Sequence, residues 1–196
     1  MGTGIMTMRS EPMVLVFAGP NGSGKSTITR FVDTVGLYIN ADDIKAAKGI
    51  DGLSAAKEAE LVREYCVSKK ESFTFETVLS TERNYLLLQR AKAAGYYVKV
   101  VFVLTCDSEL NVARVKSRVL ANGHDVPEDK IKSRYVKSIK FIPKLIELSD
   151  EITIFDNSGD VPKIIYHKDG LDEFVCETRT LSIDEVYNIV NFGGSK

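Results

Sequence analysis

The chain has 196 residues, 44% apolar and 27% charged, enough to bury one core but not two comfortable ones, so a single domain over 1–196 is expected. Lys and Arg number 26 against 27 Asp and Glu, which excludes a whole-molecule basic field and with it an obligatory DNA or anionic-membrane partner. No run approaches the roughly 18 apolar residues of a membrane helix, Met1 to Met6 carry no signal-type apolar stretch, and Met6 stands where a Gly2 myristoylation motif wants Ser or Thr.

Residues 13–18 form a continuous apolar run ending at Gly19, the pattern of a strand buried on both faces. A helix is expected from about Gly24, with Ile28, Phe31 and Val32 at helical spacing. Residues 37–40 suit a second short strand, and 53–70 an amphipathic helix with Leu61, Val62, Tyr65 and Cys66 on its apolar side. A third strand at 73–77, a helix at 85–94 closed by Gly95, and a long β-branched and aromatic run at 96–104 follow, the last fit for the sheet centre. Helices are expected at 109–121 and 129–148, the second bent at Pro143 and the two joined by the turn-prone Asn122-Gly123-His124-Asp125-Val126-Pro127. A fifth strand at 151–155 precedes a small C-terminal hairpin and helix over about 162–192. Strands alternating with helices in this way predict a three-layer α/β sandwich with a mostly parallel, five-stranded sheet. Cys66, Cys106 and Cys176 are odd in number and lack metal-ligand spacing, which suits a reducing cytoplasm.

Gly19-Pro20-Asn21-Gly22-Ser23-Gly24-Lys25-Ser26 fits the phosphate-loop pattern at every fixed position and lies between a predicted strand and a predicted helix. Glycines let backbone N–H groups converge on phosphates, Lys25 suits the β- and γ-phosphates, and Ser26 suits Mg²⁺, with Thr27 completing the loop's polar rim. ATP and Mg²⁺ are therefore the expected co-substrate and ion, and the fold is expected to be of the P-loop kinase type. The loop alone does not separate kinases from other nucleotide hydrolases. Asp42 follows the second strand at the carboxyl edge of the sheet, where open α/β sheets place ligands, and a carboxylate there can take a hydroxyl proton. Asp42 and Asp43 can equally cap the segment starting at Ile44. Glu76 ends the third strand and needs a partner if buried.

Arg114 and Arg118 share one helix face at i and i+4 and repel each other unless an anion arrives. Between Arg114 and Lys144, nine basic residues face three acidic ones, Asp125, Glu128 and Asp129. One reading is a lid over about 109–140 whose Arg118 and Arg134 close over the transferring group; the other is a solvated helix face.

Gly19 to Thr27, Asn40-Ala41-Asp42, Phe75-Glu76-Thr77, Gly123-His124-Asp125-Val126-Pro127 followed by Arg134-Tyr135, and Asp156-Asn157-Ser158 together resemble the zeta-toxin-type kinases. The GH-x-VP turn followed by RY and DNS carries most of the specificity. The resemblance implies a P-loop kinase fold and ATP-dependent phosphorylation of UDP-N-acetylglucosamine or a related UDP-sugar. It implies Asp42 as base, Glu76 and Thr77 on the acceptor side, Arg118 and Arg134 near the phosphates, and Asn157 near adenine. An antitoxin, if one exists, is a separate chain. The chain departs from the family in its shorter length and in Asn122, where many relatives have a further glycine. Two other readings stay open on the residues alone: a nucleic-acid end or nucleoside kinase, whose basic segment would track a phosphate backbone, and a nucleotide-binding switch, which the lack of an obvious water-positioning Gln after a D-x-x-G segment disfavours.

Overall fold

A computed structural model of the chain describes residues 11–121 and 123–191; the expectations for Met1 to Met6 and for Asn122 lie outside them. In chain order the elements are β1 (Met13–Ala18), α1 (Lys25–Thr29), β2 (Leu37–Ile39), α2 (Ala41–Lys48), α3 (Gly52–Lys69), β3 (Phe73–Thr77), α4 (Glu82–Ala93), β4 (Tyr97–Leu104), α5 (Ser108–Leu120), α6 (Glu128–Ile139), α7 (Ile142–Leu148), β5 (Glu151–Asp156), β6 (Lys163–Asp169), β7 (Asp172–Val175) and α8 (Ile183–Val190).

The sheet has seven strands rather than the expected five, in the order β2-β3-β1-β4-β5-β6-β7. The first five are parallel. The C-terminal hairpin does not stand apart from them, because β6 pairs antiparallel with β5 and β7 with β6. An uncovered β5 edge would leave its backbone groups unpaired, and the hairpin supplies their partners. β4 is the middle strand, as its apolar run predicts.

Alternation along β1 feeds two cores. Val14, Val16 and Ala18 join the larger one with residues of α3, α4, α7 and α8. Leu15 and Phe17 face the smaller, with Val101, Val103 and Ile28 of α1. Helices thus cover both faces, and α5 meets α6 through Val112, Val115 and Ile131. Each large side chain buried this way contributes about 1.5–3 kcal/mol.

Three local expectations need correction. α1 ends at Thr29, so Phe31 falls outside it and is 82% exposed. The buried stripe of α3 is Ala55, Ala59, Arg63 and Cys66, while Leu61 and Tyr65 face solvent. Small residues let the helix approach the sheet closely, and Arg63 lies over the Phe75 ring at 5.1 Å. Pro143 separates α6 from α7 outright, standing in the first turn of α7 where its missing N–H costs nothing.

The segment that follows the hairpin is fastened to the end of β5 by one carboxylate. Asp156, 3% exposed, accepts from Thr178 Oγ1 at 2.7 Å, Thr180 Oγ1 at 2.5 Å, Ser158 N at 2.9 Å, and the Ser158 hydroxyl. Burial pushes its carboxyl up, but the bonds from Ser158, Thr180 and Thr178 outweigh this and hold it below the usual range. Its contribution is therefore complete above the ordinary aspartate value and is lost as pH falls through the lower folded value. Asp156→Ala is expected to cost about 3 kcal/mol, since charge-assisted bonds are lost and four donors are stranded; urea unfolding at neutral pH measures it.

Candidate active site

The carboxyl ends of β1, β3, β4 and β5 meet at one edge, with Ala18 in register with Thr77 and Leu104 with Asp156. The segment after β1 turns back at this edge into α1. Gly22 (φ 78°) and Gly24 (φ 88°) take left-handed backbone that side chains avoid. A Cβ on Gly19 would lie 2.0 Å from the Val103 carbonyl oxygen, so only glycine brings the loop this close to β4.

A cleft of about 540 Å³ opens here, lined by loop residues, Asp42, Glu76, Arg114, Arg118 and Asn157. Of the loop residues predicted to hold nucleotide, Asn21, Gly22, Gly24, Lys25, Ser26 and Thr27 line it; Gly19, Pro20 and Ser23 do not. Lys25 is the first residue of α1, and its ammonium donates to the Gly19 and Pro20 carbonyl oxygens at 2.8 and 3.1 Å. Burial brings its pKa well below the ordinary lysine value, to about 8, with Arg118 pushing the same way and Glu76 and Asp42 opposing. Below about pH 8 the ammonium is present whether or not an anion is bound; above it, binding a polyanion must first recover a proton. Mg·ATP affinity is thus expected to weaken as pH rises through this value, with proton uptake visible by calorimetry in buffers of different ionisation enthalpy. Lys25→Met should show no such uptake.

Of the two adjacent aspartates, the sequence favoured Asp42 over Asp43 as the base. Asn40, not an aspartate, caps α2: its side-chain oxygen accepts from Asp42 N at 2.9 Å, and the helix begins at Ala41 rather than near Ile44. Asp42 lines the cleft and Asp43 does not. Glu76 also lines it, one oxygen accepting from Tyr38 OH at 2.6 Å and Thr29 Oγ1 at 3.2 Å. Burial and the bond to Glu76 push the Tyr38 phenol well above its usual range, so it stays a donor. Thr77 reaches the cleft too, but its hydroxyl accepts from Leu79 N and Asn84 Nδ2 at 2.9 and 2.7 Å and so shapes the β3–α4 loop.

The basic segment divides by residue type. Lys116 and Lys132 pair with Glu128, and Lys132 also with Glu109, tying α5 to α6. Among the described residues, Arg114, Arg118 and Arg134 form no such pair with a carboxylate. Arg114 and Arg118 line the cleft, their Nη2 atoms donating to the carbonyls of Ser158 at 3.5 Å and His124 at 2.7 Å. Arg134 stands one layer back, its Nη1 3.3 Å from Asn21 Oδ1. The Tyr135 hydroxyl beside it donates to Thr105 O at 2.6 Å. Asn157 lines the cleft, yet its amide is committed to the Ser23 carbonyl at 2.8 Å.

This donor set fits a nucleotide triphosphate: left-handed glycines, a buried ammonium parked on carbonyls, and arginines without carboxylate partners in a cleft of about 540 Å³. It fits Mg²⁺ as well, because Ser26 opens on the cleft and Mg²⁺ keeps most of its waters instead of demanding a protein cage. No cluster of three His, Cys, Asp or Glu suited to a metal occurs among the described residues.

The zeta toxin family model matches residues 2–177. The chain belongs to the zeta toxin family. An uncharacterized protein of Haemophilus influenzae is 31% identical over 127 residues, covering 62% of this chain and 91% of its own length. A structure of the PezAT toxin-antitoxin system of Streptococcus pneumoniae superposes with a TM-score of 0.57 at 20% identity, over 94% of this chain and 80% of the other. The AvrRxo1-ORF1:-ORF2 complex with ATP gives 0.70 at 15% identity, over 92% of this chain and 63% of that one. At these identities the likeness is one of fold, that of a P-loop kinase, and the chain spans less than two thirds of the AvrRxo1 chain.

Two contributors to the cleft had little signal in the sequence. Tyr38 acts through a bond from β2 to Glu76 of β3. Arg114 was legible only as an i, i+4 companion of Arg118.

Proposed function

We propose that the protein is a single-domain, ATP-dependent phosphotransferase that moves the γ-phosphate to a hydroxyl of a nucleotide sugar of the UDP-N-acetylglucosamine class. The observation that carries this reading is that a phosphate loop, two arginines without carboxylate partners, Asp42 and Glu76 line one cleft. Family membership supports the nucleotide sugar over other alcohols.

In the reaction, the acceptor hydroxyl oxygen forms a bond to the γ-phosphorus while the bond from that phosphorus to the β–γ bridging oxygen breaks. Asp42 takes the hydroxyl proton, and ADP leaves with the bonding pair. Lys25, once released from Gly19 and Pro20, meets the β- and γ-phosphates. Arg118 and Arg134 offset the spreading charge, the latter after leaving Asn21. Arg114 lies toward Asn157 and Gly159 and suits the nucleoside end of ATP. Mg²⁺, when bound, supplies positive charge to the phosphates, and Ser26 would hold it.

ATP use and three cysteines outside any disulfide fit the cytoplasm, and a separate antitoxin chain is a candidate partner. No helix among the described residues is long and apolar enough to cross a membrane. The reading is tested by ADP production from Mg·ATP with and without UDP-N-acetylglucosamine. Acceptor-dependent ADP release is expected, and release of equal size without any acceptor contradicts it.

A further inference from the structure

A backbone nest that binds an anion turns its N–H groups inward and must therefore send its carbonyls outward, where each needs a donor if it is buried. Two carbonyls of the phosphate loop find theirs outside the loop. Asn111 Nδ2 on α5 donates to Asn21 O at 2.7 Å, and Asn157 Nδ2 after β5 donates to Ser23 O at 2.8 Å. Both asparagines are buried, at 0% and 6% exposure. Each is itself fixed: the Thr105 hydroxyl donates to Asn111 Oδ1, and Asn157 N donates to Leu104 O at 2.9 Å. The loop's glycines let these contacts form. A Cβ on Gly22 would lie 2.5 Å from the Asn111 carbonyl oxygen, and one on Gly24 would lie 2.1 Å from Asn157 Nδ2. Ser23's own hydroxyl is buried and makes no hydrogen bond to either carbonyl.

We propose that Asn111 and Asn157 are positioning residues that clamp the phosphate loop in its anion-binding shape before nucleotide arrives. The proposal rests on the reading of this loop as an ATP site. The two amides act on phosphate through Asn21 and Ser23, and their spacing in sequence leaves the clamp closed only in the folded sheet. The chemistry demanded at Asn111 is specific: one atom must donate to a carbonyl while the other accepts from a hydroxyl. A carboxylate there aims lone pairs at the Asn21 oxygen. A protonated carboxyl restores the donor and keeps the acceptor.

Aspartate substitutions therefore convert the clamp into a titratable one, and a carboxyl buried at this position titrates above its usual range. Mg·ATP affinity is measured by calorimetry from about pH 8.5 down to about pH 5.5, each variant as a ratio to wild type at the same pH. Asn111→Asp is expected to bind about tenfold more weakly at the upper end, the scale of one buried hydrogen bond, and to recover to within about threefold at the lower end as the carboxyl protonates. Asn157→Asp should behave alike, and Asn111→Leu should stay weak at every pH. Wild-type-like affinity throughout, or a deficit that does not move with pH, overturns the clamp. So does failure of both Asp variants to fold, which would make the pair supports of the whole fold. Absence of Mg·ATP binding by the wild type would instead overturn the nucleotide reading itself.

Discussion

Replacing Lys25 by alanine is expected to lower turnover by about 10³-fold, the scale on which a preorganised charge at the reacting centre is worth most, while the fold survives. The ammonium donates to two loop carbonyls, at 2.8 and 3.1 Å. Both acceptors belong to the loop itself, so losing these bonds is expected to cost the fold little. The cation is also kept in a desolvating site, which brings its pKa to about 8, and deleting it relieves that penalty. Thermal unfolding of Lys25→Ala should thus stay near wild type while phosphoryl transfer falls by about 10³-fold. A variant that unfolds at room temperature would show that Lys25 holds the loop together instead.

Asp42→Asn is expected to retain ATP affinity and lose roughly 10²-fold in turnover, the usual scale for a positioned base. Asp42 is exposed on the cleft wall, in the first turn of α2, with its backbone N–H already satisfied by Asn40. Its carboxylate is therefore not needed as a cap, and its own side chain is available to an acceptor hydroxyl. The amide keeps the shape and removes the proton acceptor. Asp43 stands in the same turn but outside the cleft, so Asp43→Asn should change turnover only slightly. Turnover of the two variants, beside ATP binding by calorimetry, checks the assignment; a larger loss for Asp43→Asn would move the base by one residue.

The difference between these aspartates shows where sequence stops informing. The phosphate loop is contiguous, so its glycines and Lys25 were legible from spacing alone, as were the apolar runs that became β1, β3 and β4. Which of two adjacent carboxylates faces the cleft depends on where α2 begins, and that is decided by the Asn40 cap. The parallel strands were legible one by one, yet the hairpin's attachment to β5 was not, because it depends on edge groups and on Asp156 gathering Thr178 and Thr180 from more than twenty residues away. Residue type already set the lid arginines apart from the lysines in sequence; what it could not show is that carboxylates on α5 and α6 engage Lys116 and Lys132. Asn111 was invisible, since a polar residue in a helix that looks solvent-facing becomes fully buried only when Asn21, 90 residues earlier, arrives beside it.

The account turns on the fate of one phosphoryl group. Incubation with γ-labelled Mg·ATP and a panel of UDP-sugars, nucleosides and RNA 5′ ends, with products separated and counted, follows it directly. Label on UDP-N-acetylglucosamine or a close UDP-sugar, absent with Lys25→Ala, is the predicted result. Label confined to RNA ends or nucleosides, or recovered only as inorganic phosphate, would contradict it.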